Sequence, residues 1–169
     1  EFMKKMILFA ALMAVTFNIA IFAQQTANST SIGKLLYNYY DIKNALIASN
    51  GNEAKNFADN FLKTINDVDA QTLSKADKEA FISLVDKLKA DAQHISESKS
   101  LAQQRDHFSN LSLNFYQLAH SIKLSDEKIY YDYCPMKKSY WLSADASIKN
   151  PYYGKAMLTC GKVIETVNK

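Results

Sequence analysis

The sequence predicts a mainly all-α protein, an up-and-down four-helix bundle carrying a small irregular, aromatic-rich C-terminal cap. Three observations predict it. Apolar residues recur at three- and four-residue intervals over positions 31–124. Polar, turn-forming breaks divide that stretch into four pieces. Beyond residue 125 the period changes, and both cysteines, both prolines and the only tryptophan fall between 134 and 160.

Glu1 and Phe2 precede Met3 and read as a cloning scar. Residues 3–23 run MKKMILFAALMAVTFNIAIFA, two lysines followed by a long apolar stretch that stops at polar Gln24. That is the pattern of a secretory signal peptide cleaved after Ala23. A membrane anchor is the competing reading, because the run approaches bilayer-spanning length. No basic stop-transfer cluster follows it, and no cysteine near the cleavage point offers a lipid anchor. The expectation is an exported, periplasmic protein of a Gram-negative bacterium, with no membrane span after cleavage and a linker over 24–30. Of the 5 methionines, only Met136 and Met157 then remain. The formal net charge is +3, with no Lys/Arg cluster interleaved with aromatics, which argues against nucleic acid as a partner.

The bundle is expected over 31–124. In the first helix Ile32, Leu35, Leu36, Tyr39, Ile42, Leu46 and Ile47 share one face, after a Ser29-Thr30-Ser31 run that can cap it. Asn50-Gly51-Asn52 is expected to end it, with glycine in the left-handed position past the last turn. Ala54, Phe57, Ala58, Phe61, Leu62 and Ile65 line the second helix. The third carries Ala80, Phe81, Leu84, Val85, Leu88 and Ile95, with Ser74 and Asp77 spaced as a capping box. The fourth starts at Ser100, with Gln103 in the matching position. It buries Leu101, Phe108, Leu111, Phe115, Leu118 and Ile122, a seam interrupted by Gln104. Short polar connections favour antiparallel neighbours. His94, His107 and His120 read as surface or hydrogen-bonded histidines, with His120 placed to touch the cap; Tyr37, Tyr39 and Tyr40 read as core and rim aromatics.

The cap, residues 125–167, is expected to pack with the bundle as one domain. Ile129, Tyr131 and Tyr133 alternate with Tyr130 and Asp132, which suggests a short strand. Pro135 biases Cys134 towards an extended conformation. In extended chain Cys134 and Met136 point the same way. Asn150-Pro151-Tyr152-Tyr153-Gly154 is a turn, and one helical turn after it sets Met157 and Cys160 on one face, ended by Gly161.

Cys134, Met136, Met157 and Cys160 are therefore the candidate metal ligands. Thiolate with thioether suits Cu(I), with Ag(I) as the second candidate; zinc gains little from methionine. Tyr131, Tyr133, Tyr140, Trp141, Tyr152 and Tyr153 offer an aromatic wall around such an ion. Three other readings stay open on the residues alone. The cysteines form a disulfide, or they are unrelated thiols among ordinary core methionines, or Trp141 and Tyr153 line a small-molecule pocket.

The stretch YCPMKKSYWLSADASIKNPYYGKAMLTCGKV resembles an uncharacterised periplasmic bacterial domain whose signature runs YCPM, YWLS, I-x-NPYYG and ML-x-CG-x-V. The preceding RDHFSNLS, with Arg105, Phe108, Leu111 and Ser112, is similar to it as well. Members often carry a glycine-containing insertion between CPM and YWLS, where this chain has only Lys137-Lys138-Ser139. That domain occurs alone behind a signal peptide or fused to periplasmic adaptor subunits of copper- and silver-type efflux systems. The resemblance implies heavy-metal handling, with an efflux adaptor as partner and the four sulfurs matching those of the motif. The alternative, of a different class, is a disulfide-stapled interaction module that docks on an envelope partner without metal. No enzyme activity is expected, because no nucleophile–base pair, HExxH, phosphate-binding glycine loop or close carboxylate pair stands out.

Overall fold

The computed structural model describes residues 19–167, with side chains over 32–167. Residues 3–18 of the expected signal peptide lie outside the described residues, and its cleavage point after Ala23 lies where only the backbone is described. Helix α1 spans Ile19–Ile47, so residues 24–30, expected as a linker, are helical and the helix begins upstream of Ser29-Thr30-Ser31. Helices α2 (Gly51–Asn66), α3 (Lys75–Glu97) and α4 (Leu101–Ser121) follow, with a 3-10 turn at Ala70–Thr72 between α2 and α3. Then come β1 (Ile129–Cys134), β2 (Ser139–Ser143), a 3-10 turn at Gly154–Met157 and β3 (Lys162–Val167). The architecture is thus four helices plus a small sheet. Among the described residues no helix is long and apolar enough to cross a membrane.

The helices form where the periodicity places them. Leu35, Tyr39, Ile42 and Leu46 of α1 meet Phe61 and Ile65 of α2, Leu88 and Ile95 of α3, and Phe108, Leu111, Phe115 and Leu118 of α4 in one buried cluster. Ser74 caps α3: its Oγ accepts from the Asp77 N–H at 3.2 Å and donates to Asp77 Oδ2 at 2.7 Å. At α4 half of the expected box forms. Ser100 Oγ meets the Gln103 N–H, while the Gln103 side chain accepts from Ser98 Oγ at 3.0 Å instead of reaching back to Ser100.

One expected helix end is corrected. Gly51 does not terminate α1; it is the first residue of α2, with Asn50 as the cap accepting from the Glu53 N–H. The left-handed residue is Ser49, at φ 58°. Ser49 N donates to Leu46 O and Asn50 N to Ala45 O, at 3.1 and 2.9 Å, the paired bonds of a Schellman ending. A Cβ at 51 would stand 2.9 Å from Gln104 Oε1, so the Gln104 side chain would have to shift to admit one. Gln104, the break in the α4 seam, is buried, and its Nε2 donates to Gly51 O and Ser98 O. It ties two helix beginnings together.

The cap is more regular than expected. Its three antiparallel strands run in the order β2-β1-β3, with Tyr133 opposite Tyr140 and Cys134 opposite Ser139, and a bulge between Tyr131 and Asp132 on the β3 side. Consecutive helices share most of the helix contact whereas α1 and α4 touch sparingly, and the sheet sits over that seam against α4. Tyr39 fastens it. Its ring is stacked between Phe108 and Phe115, at 5.1 and 4.9 Å; its hydroxyl bonds Ser112 Oγ and accepts the Leu142 N–H of β2 at 3.0 Å. Arg105 makes the second fastening: it donates to Pro151 O, Leu46 O and Ser49 Oγ, joining α4, the end of α1 and the cap.

Candidate metal centre

Cys134 is the last residue of β1, and Cys160 follows the 3-10 turn that leads into β3. Their sulfurs lie 3.9 Å apart as free thiols, Cys134 fully buried and Cys160 half-buried. Local structure explains the approach. Lys138 N donates to Cys134 O at 2.8 Å, so residues 135–138 fold into a tight turn from β1 to β2, with Lys138 left-handed at φ 56°. Cys160 N donates to Met157 O at 3.1 Å, which makes the expected turn. Gly161 then swings the chain under Trp141 into β3. Its φ of 151° disfavours any side chain, and a Cβ would stand 2.8 Å from the Trp141 ring and 3.0 Å from Tyr133 O.

Asn150 holds the second approach to the pair. Fully buried, it donates from Nδ2 to Cys160 O at 2.7 Å, and its Oδ1 accepts from Tyr152 N at 2.8 Å. Its backbone N–H reaches Leu158 O at 2.8 Å. A single Asn-Pro corner therefore fixes where Cys160 sits. The sequence marked it only as a turn; the signal for more was asparagine's habit of bonding the backbone two residues on. Sequence reasoning gave no role to Asn150, and Tyr39 appeared in it only as a core aromatic.

Backbone amides point at both sulfurs. Lys137 N donates to Cys134 Sγ at 3.4 Å. The Cys160 thiol is pushed up by burial and by its Cys134 neighbour, against a Met136 backbone N–H that pulls it down. Free Cys160 is thus held as the thiol, and an ion that bound there would release its proton.

The methionines stand differently. The turn at 135–138 removes the extended geometry that was to align Met136 with Cys134: the thioether side chain of Met136 is 63% exposed while Cys134 has no exposure. Met157 is half-buried in its turn. Among the described residues no group of three His, Cys, Asp or Glu is arranged to hold an ion, so a metal at this pair depends on soft thioether or outside ligands. The aromatic wall exists in two parts. Tyr133, Tyr140, Tyr131 and Tyr116 stack in sequence at 4.7, 5.1 and 3.7 Å. On the other side Tyr152 bonds Tyr140 O and packs edge-on to Trp141, which is fully buried and so presents nothing to a small molecule.

Beneath the sheet Asp132 faces Trp141 across the ladder, wholly buried, with neither carboxylate oxygen hydrogen-bonded. Burial raises its pKa to about 7, opposed by Lys43. Lys43 of α1 is likewise buried, donating to Ser143 Oγ at 3.2 Å and lying over the Tyr40 ring; burial lowers it to about 8. His120 does reach the cap: its Nε2 lies 2.7 Å from Glu165 Oε1, while Tyr116 donates to Glu165 Oε2 at 2.6 Å.

A family model described as a protein of unknown function (DUF3347) matches residues 35–127, more than half of the chain. The chain belongs to this family. The DUF3347 match runs from within α1 through the other three helices and ends just before β1; all four candidate sulfurs lie beyond it. No curated protein and no solved structure matches the chain.

Proposed function

We propose that this DUF3347 protein binds a soft monovalent metal ion, Cu(I) with Ag(I) as the second candidate, as cargo between Cys134 and Cys160. The observation that carries the reading is the 3.9 Å sulfur separation. With metal–sulfur bonds of about 2.3 Å, as for zinc, that span gives a sulfur–metal–sulfur angle of roughly 116°, between tetrahedral and trigonal. Little movement is needed. The amides of Lys137 and Met136 offset charge on the two thiolates, as outer hydrogen bonds do at metal sites. Met136 and Met157, on the turns beside the two cysteines, are the thioethers that would join the set; the Met136 side chain has to fold back from solvent to do so. Export, a periplasmic site and hand-over to an efflux adaptor belong to the same proposal, supported by the leader pattern and the C-terminal signature. Buffering or passing an ion along exchanges sulfur ligands and releases thiol protons, with no redox step.

The same 3.9 Å favours one second reading, a disulfide staple in an interaction module. Closing the pair to the S–S bond of about 2.04 Å needs the sulfurs to approach by roughly 1.9 Å. Anaerobic thiol counting with Cu(I) titration separates the two. The metal reading expects two free thiols, one equivalent bound with proton release, and tighter binding as pH rises. It also expects weaker binding in Met136→Leu and Met157→Leu with folding kept. A purified protein with no titratable thiol, or one that ignores Cu(I) after reduction, sinks it.

A further inference from the structure

The starts of α2 and α4 open onto one cleft of about 710 Å³, which shares no residue with the sulfur centre. Gly51, Asn52 and Lys55 line one side of it, and Lys99, Leu101 and Gln104 the other; no acidic side chain lines it. Asn50 Oδ1 takes the Glu53 N–H and Ser100 Oγ takes the Gln103 N–H, and Ala54 N and Gln104 N begin the two helical ladders. The N–H groups ahead of these, at Gly51, Asn52, Leu101 and Ala102, meet no acceptor among the described residues. Each helix start carries partial positive charge as well. Lys55 and Lys99 add two cations without an ion-pair partner among the described residues.

Gln104 distinguishes this cleft from an ordinary pair of helix starts. Its side chain is buried, and both Nε2 hydrogens are used, on Gly51 O at 3.0 Å and Ser98 O at 3.1 Å. Its Oε1 accepts no hydrogen bond. That oxygen lies against Gly51, where a Cβ would stand 2.9 Å away, so it sits at the floor of the cleft. Buried acceptors in native proteins are normally met, and an open one here marks a place for a donor. We propose that the cleft binds a phosphate that also offers a hydroxyl, either hydrogen phosphate or a phosphate ester with a hydroxyl beside it, free or as a lipid headgroup. The anion's oxygens take the free N–H groups and the two ammonium groups, as at other helix starts that bind phosphate. Its hydroxyl donates to Gln104 Oε1. The site stands independently of the sulfur reading.

The test is NMR titration of the full chain with inorganic phosphate and, separately, with sulfate. Sulfate resembles phosphate in shape and charge but carries no hydroxyl at neutral pH. The expected result is saturable shifts at the amides of Gly51, Asn52, Leu101 and Ala102, with sulfate bound roughly tenfold or more weakly, because it leaves the Gln104 oxygen unpaired. Lys55→Ala combined with Lys99→Ala should weaken phosphate by roughly tenfold with the melting temperature kept. Gly51→Ala pushes the Gln104 side chain aside, so it should erase the preference over sulfate. Glycerol phosphate and vesicles of phosphatidylcholine with phosphatidylglycerol, offered in turn, tell a free ligand from a lipid headgroup. Equal binding of the two anions, a preference that survives Gly51→Ala, or shifts that never saturate overturn the proposal.

Discussion

The bundle and the cap of this chain are held together by different physics. The bundle rests on apolar stripes whose members lie within a few turns of one another, and Leu35, Leu88, Phe108 and Phe115 are buried by packing alone. The cap has a smaller core and depends on polar ties from distant residues: Tyr39 to Leu142, Arg105 to Pro151, Asn150 to Cys160. Hydrophobic packing is non-directional and tolerates adjustment. A hydrogen bond to one named backbone atom fixes position. Both thiols lie in the part of the molecule that such bonds position.

The comparison breaks most severely from the bundle side. Phe108→Ala should cost about 3–5 kcal/mol and unfold cap and bundle together in one urea transition, because its ring packs against both Tyr39 and Tyr152. Two separate transitions would show that the cap stands on its own. From the cap side, Gly161→Ala should cost about 2–4 kcal/mol through its backbone conformation and its contact with Trp141. Its far-ultraviolet helical signal should persist while thiol reactivity at Cys160 rises. Unchanged thiol reactivity would mean that the glycine does not position the pair.

A third change sharpens the contrast through pH. Burial lifts Asp132 from 3.8 to about 7, so the folded chain retains a proton that the unfolded carboxyl has lost. Its contribution therefore falls as pH rises from about 4 to 7. Asp132→Asn should remove that slope, at most about 1.4 kcal/mol per pH unit, in urea unfolding at pH 5, 6 and 7. A variant as steep as the parent would place the titration elsewhere. The smallest effect is a gain: Lys138→Gly should relax the left-handed turn after Cys134 and stabilise by up to about 1 kcal/mol in thermal melts. A lowered melting temperature would show that the turn is not strained.

What could be read from the residues follows the same division. Local periodicity exposed all four helices, and the Ser74 cap was visible three residues from its partner. The end of α1 was misplaced because Ser49 took the left-handed position that glycine usually fills, while Gly51 opens α2 and packs against Gln104, 53 residues away. Of the strands, β1 showed its alternation. In β2 and β3 it was hidden, since the burial pattern of β2 does not alternate and β3 is exposed over its first three residues. The closeness of Cys134 and Cys160 was anticipated from composition. The outward turn of Met136 was not, because it depends on the bond from Lys138 to Cys134 O, made by the short link itself.

Strand order carries a consequence for assembly. The middle position in the sheet belongs to the first strand made, and its second neighbour is the last segment of the described chain. The helices can therefore be complete while Cys134 still waits at an open ladder. Without β3 the sheet loses the strand that anchors the far side of the thiol pair. Until that strand pairs, Cys160 has no ladder to hold it beside Cys134.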